Sequence, residues 1–466
     1  MEVAGKKVLV MGAARSGIAC SRFLVARGAT VALNDAKSIE KWSPEALALK
    51  KEGVGLLPGE APGWLLDQVE LVVVSPGVPS TAIPIRYAER AGAEVIGEVE
   101  LASRYLKGRI VAITGSNGKT TTTSLVGALL KDAGLRTQVG GNIGTPLISM
   151  VESSSDDGWT VVEMSSFQLE TIREFHPSIA VALNVTPNHM DRYESFTDYA
   201  AAKHRIFMNQ VPGDLAVLNA DDEIVSSWTT GLRAHVVSFS VKRELEEGLF
   251  LRGREIVSRT AAGERVLLRS DEMKLRGLHN VENVLAAVSV GLACGAAPES
   301  MRQTIAAFEP VEHRLELVSE IEGVKFYNDS KATSVDATLK ALEAFAGDGS
   351  GESGKVVLIL GGRGKKAPYA PLASLVRETV RKLILIGEDA ETIASELGND
   401  AEYERANDMK DAVGLAFEAA EPGDAVLLAP ACASFDMFES FEHRGKVFKQ
   451  QVEELRSKVQ SRADGP

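Results

Sequence analysis

Residues Ile110–Gly134 read IVAITGSNGKTTTTSLVGALLKDAG, an apolar strand that runs into a Gly-containing turn and then a long helical stretch. Backbone N–H groups in such a turn, at the positive end of a helix, attract anionic oxygens. The turn comprises Gly115, Ser116, Asn117 and Gly118, with Thr121 in the first helical turn. Lys119 can reach the terminal phosphates of a nucleotide, and the Thr120 hydroxyl can ligate Mg²⁺. The general phosphate-loop pattern would put a glycine where Ile113 stands, so the match is to a shortened form. The alternative is an ordinary glycine turn that opens a helix.

Two further sets of residues could act with this loop. VVEMSSFQLE places Glu163 at a strand end, where a carboxylate can hold Mg²⁺ beside a nucleotide, and NVTPNHMDRY supplies His189 and Asp191. Taken singly, Glu163 also reads as a solvated rim residue and His189 as a neutral, satisfied side chain. Near the N-terminus, GAARSG carries Gly12 and Gly17 after an apolar strand, and Asp35 ends the next strand, about where a ribose-binding carboxylate sits in nucleotide-binding folds. Ala14 occupies the second glycine position of the dinucleotide fingerprint, so a structural turn and a nucleotide pocket both remain open.

The elements that must hold these residues follow from hydrophobic periodicity. KKVLVMG, TVALND and ELVVVSPG alternate with helical stretches such as Ile18–Arg27, closed by Gly28. A second alternating block opens at Arg109 with RIVAITG, TVVEMSS and SIAVALNVTPNH, and it contains helices expected over Asp198–Gln210 and Asn280–Cys294. LFLRGREIVS and ERVLLRS, between Leu249 and Arg269, read as hairpin strands. This block closes near Phe308. FEPVEHR, with a boundary near Pro310, leads to a third block with strands VKFYND, KVVLILGG, KLILIGE and DAVLLAPA. Alternation implies parallel sheets with crossover helices. The expected architecture is therefore α/β in three domains: a Rossmann-like domain over 1–98, a central phosphate-loop domain with a parallel sheet over 99–308, and a second Rossmann-like domain over 309–466. Gly347–Gly354 (GDGSGESG) reads as a flexible loop and SRADGP as a frayed end.

Composition narrows the function classes. At roughly 150 residues per domain, 466 residues suit about three domains. The 51 basic and 64 acidic side chains leave a net charge of −13, which argues against a nucleic-acid footprint, so an anionic ligand must meet local donors. Cys20, Cys294 and Cys432 lack the spacing of a zinc site or a disulfide framework and suit a reducing cytoplasm. The sequence shows neither an export signal nor a membrane-spanning run, and a soluble cytoplasmic monomer is expected.

The shortened loop TGSNGKTTT resembles that of the Mur ligase family, which includes cell-wall peptide ligases, folylpolyglutamate synthases and cyanophycin synthetases. The resemblance extends over nearly the whole chain. It implies ATP as co-substrate and two Mg²⁺ ions held by Thr120, Glu163, His189 and a carbamate on Lys203, a residue that from its setting alone (DYAAAKHRIF) reads equally as an exposed helix lysine. It implies Asn280 and Asn283, in GLHNVENVLAA, near adenine, Arg314 at the triphosphate, and Asp329 at ribose with Lys331 beside it. The first domain would bind a UDP-linked substrate through Gly12, Ala14, Arg15, Ser16, Asp35, Ser75 and Gly77, with Asn142 of GGNIGTP approaching its muramoyl-alanine part.

VVEMSSFQLE and PACASFDMFESFEHRG resemble the members that add D-glutamate to UDP-N-acetylmuramoyl-L-alanine, and the DNPR motif of the diaminopimelate-adding relatives is absent. In those members the amino acid's carboxylates are held by groups matching Thr333, Lys365, Ser434 and the Phe441 backbone. Where related sequences carry Asp between the glycines of GGRGKK, this chain carries Arg363, either a second cation for the amino acid or a rim residue. The implied reaction activates the substrate carboxylate as an acyl phosphate, with charge neutralised by Lys119, Arg314 and Mg²⁺, before the amine attacks. Hinges near residues 98 and 308 would let the third domain close over the nucleotide. Rival readings are another amino-acid-adding ligase of the family, a nucleotide-dependent binding module, and an NAD-dependent oxidoreductase using the first glycine turn.

Overall fold

The computed structural model describes residues 1–466 except 62, 80–81, 143, 189–191, 276, 310–311, 346–353, 366 and 464–466. His189, Asp191, Pro310, Lys366, almost all of the GDGSGESG tract and the last three residues of SRADGP lie outside the described residues.

The described strands form three sheets. The first runs in the order Gly55–Pro58, Thr30–Asp35, Lys7–Met11, Leu71–Val74, Glu94–Gly97, parallel throughout. Leu71–Val74 is apolar at every position and buried at every position, as a parallel strand covered on both faces requires. The second sheet has nine strands: Gly263–Arg269, Glu255–Thr260, Gly248–Arg252, His235–Ser240, Leu215–Asn219, Ile179–Ala182, Arg109–Thr114, Trp159–Glu163 and Thr137–Gly141. It is parallel except where Gly248–Arg252, Glu255–Thr260 and Gly263–Arg269 fold back as the expected antiparallel hairpins. The third runs Glu316–Ile321, Val324–Asn328, Ala425–Leu428, Val356–Gly361, Val380–Ile386, Glu402–Arg405, with the first pair antiparallel and the rest parallel.

The chain folds into two compact units. One comprises Met1–Val185, Ser195–Ser270 and Glu282–Ala306 and contains the first two sheets. The other comprises Thr186–Glu194, Asp271–Val281 and Ala307–Pro466 and contains the third.

Element ends differ from the periodicity in instructive places. The helix expected over Asp198–Gln210 spans Phe196–His204 and tightens into a 3-10 turn at Arg205–Phe207. The Arg205 guanidinium donates to Leu169 O (2.8 Å) and Ile172 O (2.7 Å), which anchors that turn. The helix expected over Ile18–Arg27 starts earlier, at Arg15, and spans Arg15–Ala26. Short edge strands such as Gly55–Pro58 and Glu402–Arg405 carry too little alternation to be legible beforehand. Among the described residues, no helix is long and apolar enough to cross a membrane. The three cysteines are free.

Candidate active site

The strand Arg109–Thr114 lies in the interior of its sheet, between Ile179–Ala182 and Trp159–Glu163, and the helix Lys119–Asp132 begins five residues after its end. Gly118 makes the turn between them in the left-handed region (φ 81°), and a Cβ there would lie 2.2 Å from Asn283 Oδ1, so glycine is required on both counts. Asn283 also accepts from Thr122 Oγ1 (3.2 Å), and it is buried against the loop. The loop is locked from its other side by Asn184, whose Oδ1 accepts from Asn117 N (2.8 Å). Asn184 was not among the sequence candidates; its place at the end of an adjoining strand, in NVTPNH, was the available signal.

Two lysines converge on this loop. Lys119 Nζ donates to Gly115 O and Ser116 O, both at 2.8 Å, and Lys203 Nζ donates to the same Gly115 O at 2.8 Å. Lys203 is 1% exposed, so the helix-surface reading is corrected: its helix turns this residue into the interior. Burial first, and then the Lys119 charge, push its amine well below the ordinary lysine range, while Glu163 opposes the shift. Lys119 thus brings its positive charge to a carbonyl it shares with a Lys203 amine that burial favours in the neutral form, and anionic oxygens would meet that charge at the loop.

Glu163 is itself 1% exposed. Its Oε1 accepts from Asn142 Nδ2 (2.8 Å), whereas Oε2 is buried with no hydrogen-bond partner among the described residues. A buried carboxylate oxygen left without a donor suits a hard divalent cation, and the buried Thr120 hydroxyl of the phosphate loop belongs to the same compact unit.

Asn142 faces two ways, because it also lines a cavity of about 770 Å³ walled by Gly12, Ala14, Arg15, Ser16, Asp35, Ser75 and Gly77. Ala14 precedes the helix Arg15–Ala26 without a side-chain cap, leaving first-turn amides to the cavity. Asp35 accepts from Ala13 N (2.8 Å) and Lys37 N (2.9 Å), so it shapes the wall as well as offering its remaining lone pairs. Arg15 reaches across to Gly144 O (3.3 Å). Lys37 and Gln168 also line the cavity and were not foreseen.

The second unit gathers the remaining candidates. Asp329 is pushed up to about 7 by burial, with the Arg314 and Lys331 charges pulling it back. His279, next to Asn280, is pushed down to about 4 by burial and by the charges of Lys340 and Arg314. His313 (φ 64°) and Leu315 (φ 43°) flank Arg314 in a backbone region that non-glycine residues seldom occupy, which is the kind of strain found where a side chain must be aimed. Lys365 Nζ lies 3.4 Å from Thr333 Oγ1, and the bridge between Arg363 and Ala433 sets the GGRGK loop beside buried Ser434. Phe441 opens the helix Phe441–Ala463, its carbonyl accepting from Ser330 Oγ (2.8 Å). Arg363 makes a two-pronged pair with Glu388 (both 2.9 Å), half-exposed on each side.

Comparison with known proteins gives matches along most of the chain. Residues 6–97 match the Mur ligase MurD-like N-terminal domain, 113–291 the Mur ligase middle domain, and 313–432 the Mur ligase glutamate ligase domain. The chain is 48% identical over 455 residues, 98% of its length and 99% of the relative's, to UDP-N-acetylmuramoylalanine--D-glutamate ligase of Koribacter versatilis. The chain belongs to the Mur ligase family. A Mur ligase of the same name from Pelotomaculum thermopropionicum is 48% identical over 97% of this chain and 98% of that one. The fold is shared with the crystal structure of MurF ligase from Thermotoga maritima in complex with ADP, at a TM-score of 0.61 and 16% identity, covering 97% of this chain and 96% of that one. As in that family, the architecture is three-domain α/β with parallel-dominated sheets.

Proposed function

We propose that this Mur ligase uses ATP to join D-glutamate to the alanyl carboxylate of UDP-N-acetylmuramoyl-L-alanine, releasing ADP and phosphate. The observation that carries the reading is Asn142, which lines the 770 Å³ cavity and donates to Glu163, linking a cavity of nucleotide-sugar dimensions to the end of the strand that pairs with the one leading into the phosphate loop. Names shared by relatives at 44–48% identity over nearly the full chain support the same substrates.

In this reading the UDP moiety lies along Gly12, Ala14, Arg15, Ser16, Asp35, Ser75 and Gly77, its diphosphate facing the uncapped helix start. The turn from Gly115 to Thr121 cradles the ATP phosphates, and Lys119 follows the phosphoryl group as it passes to the alanyl carboxylate. Asn280 and Asn283 serve adenine, and Arg314, Asp329 and Lys331 the triphosphate and ribose. Thr120, Glu163, His189 and carbamylated Lys203 would hold two Mg²⁺ ions. Bound Mg²⁺ supplies neutralisation of charge on the phosphate oxygens. The amine of D-glutamate then attacks the acyl carbon and phosphate leaves. Thr333, Lys365, Ser434 and the Phe441 backbone fix the two carboxylates of the incoming amino acid.

The test is phosphate release from ATP and Mg²⁺ with UDP-N-acetylmuramoyl-L-alanine and a panel of D- and L-amino acids. Stimulation by D-glutamate above the rest is expected. Equal or greater stimulation by another amino acid would move the chain to a different branch of the family, and stimulation by none would favour a binding module.

The amino-acid subsite has its own test. Lys365→Ala is expected to raise the KM for D-glutamate at least tenfold with ATP affinity little changed, since losing a charge-assisted contact costs roughly 1.5–3 kcal/mol. Arg363→Asp should alter that KM less than about threefold, because Arg363 is committed to exposed Glu388. Steady-state constants for both variants check this; an unchanged KM in Lys365→Ala would remove that lysine from the site.

A further inference from the structure

We propose that Glu98 is a positioning residue for the loop residues Asn142, Gly144 and Pro146 that line the cavity, holding the far end of that loop from the segment that joins the first two sheets. The inference rests on the substrate assignment above. The loop's near end is tied to Glu163, through Asn142 N to Glu163 O (2.9 Å) and Asn142 Nδ2 to Glu163 Oε1 (2.8 Å). Gly141, Asn142, Gly144 and Pro146 line the cavity. Immediately beyond, the 3-10 turn Leu147–Met150 is gripped by Glu98, whose Oε1 accepts from Ile148 N at 2.7 Å across 50 residues of chain.

The neighbouring acid shows what is unusual about this arrangement. Glu100, on the same short helix Glu98–Ser103, is equally buried but fully used: it accepts from Arg173 N, Glu174 N, Phe175 N and Arg104 Nε at 2.8–3.1 Å. That is a structural clamp. Glu98 is 2% exposed, and its Oε2 has no partner among the described residues. Burial pushes its carboxyl up to about 7, opposed by the backbone amides of Ile148 and Leu147. The helix Arg15–Ala26 presents the Cys20 thiol to it, itself pushed up by burial and by Glu98. Leu71–Val74 and Leu147–Met150 contain no ionisable side chain, and Glu94 of the adjoining strand pairs with Arg104 (2.8 Å). Near neutral pH Glu98 therefore changes charge, and the ionised form is the stronger acceptor for Ile148 N.

Two variants separate positioning from bulk stability. Glu98→Leu removes the acceptor at similar size; Glu98→Gln keeps an acceptor that cannot ionise. We expect Glu98→Leu to raise the KM for UDP-N-acetylmuramoyl-L-alanine at least tenfold, with the KM values for ATP and D-glutamate within twofold of wild type. The ratio of that KM in Glu98→Gln to wild type should be near one at pH 6 and at least three at pH 8. The stability sign is also set: a carboxyl raised above its unfolded value of 4.5 weakens the fold as pH rises from there to about 7. The melting temperature of Glu98→Gln minus that of wild type should thus grow between pH 5 and pH 8. A wild-type KM in Glu98→Leu, a parallel rise in all three KM values, or a Glu98→Gln ratio flat with pH would each overturn the proposal. Absence of wild-type turnover with this substrate would instead sink the substrate assignment, and this inference with it.

Discussion

Lys119→Ala is expected to lower ligation at least a hundredfold while leaving the fold intact. Its Nζ is already held on the loop by Gly115 O and Ser116 O, so the positive charge is placed where phosphate oxygens would meet the loop amides. An aimed charge acting on a transition state in a water-poor site accounts for about 2.7–4 kcal/mol when one such donor is removed. The substitution costs little in stability, because Gly115 O keeps its bond from Lys203 Nζ (2.8 Å) and alanine is a good helix former at that position. Single-turnover phosphate release, measured beside a thermal melt, gives the result. Near-normal turnover would exclude this loop from phosphoryl transfer. Thr120→Ala is expected to differ in kind, raising the Mg²⁺ concentration needed for half-maximal rate.

Lys203→Ala is the second large effect, with activity nearly abolished. A fully buried lysine whose amine is held below its ordinary range is available in the neutral form that adds carbon dioxide, releasing a proton and leaving a carbamate. Beside Glu163 that group would become a second carboxylate-like ligand. Removing the side chain takes away both ligand and volume, and short carboxylic acids added to Lys203→Ala should restore part of the rate by filling the space. Isotope-labelled bicarbonate followed by carbon NMR should show one carbamate in wild type and none in the variant. A fully active Lys203→Ala enzyme would refute the role.

Much of this site was legible in the sequence because its parts are local. The strand, turn and helix of the phosphate loop need only adjacent residues, and the left-handed position taken by Gly118 (φ 81°) has a direct signature in residue type. Glu163 was marked as a candidate by its place at the end of an apolar strand, and the runs that became Leu71–Val74, Arg109–Thr114 and Val356–Gly361 were readable because a strand covered on both faces is apolar over most of its length. The resemblance to a ligase family rested on such local words.

What the tertiary structure decided depends on residues far apart in the chain. Lys203 reads as a surface lysine until its helix packs; only then does it meet Gly115 O, 88 residues away, and share that carbonyl with Lys119. Arg363 could have been a second cation for the amino acid, but Glu388, 25 residues on, takes its guanidinium. Glu98 and Glu100 are two positions apart and identical in type. One has its oxygens covered by backbone amides and an arginine, the other keeps a buried oxygen unmatched, and nothing in GEVEL distinguishes them. The physical reason is that a hydrogen-bond donor or a low-dielectric surrounding is supplied by whichever segment packs against a side chain, so burial, charge state and partner are properties of the fold and not of the local string.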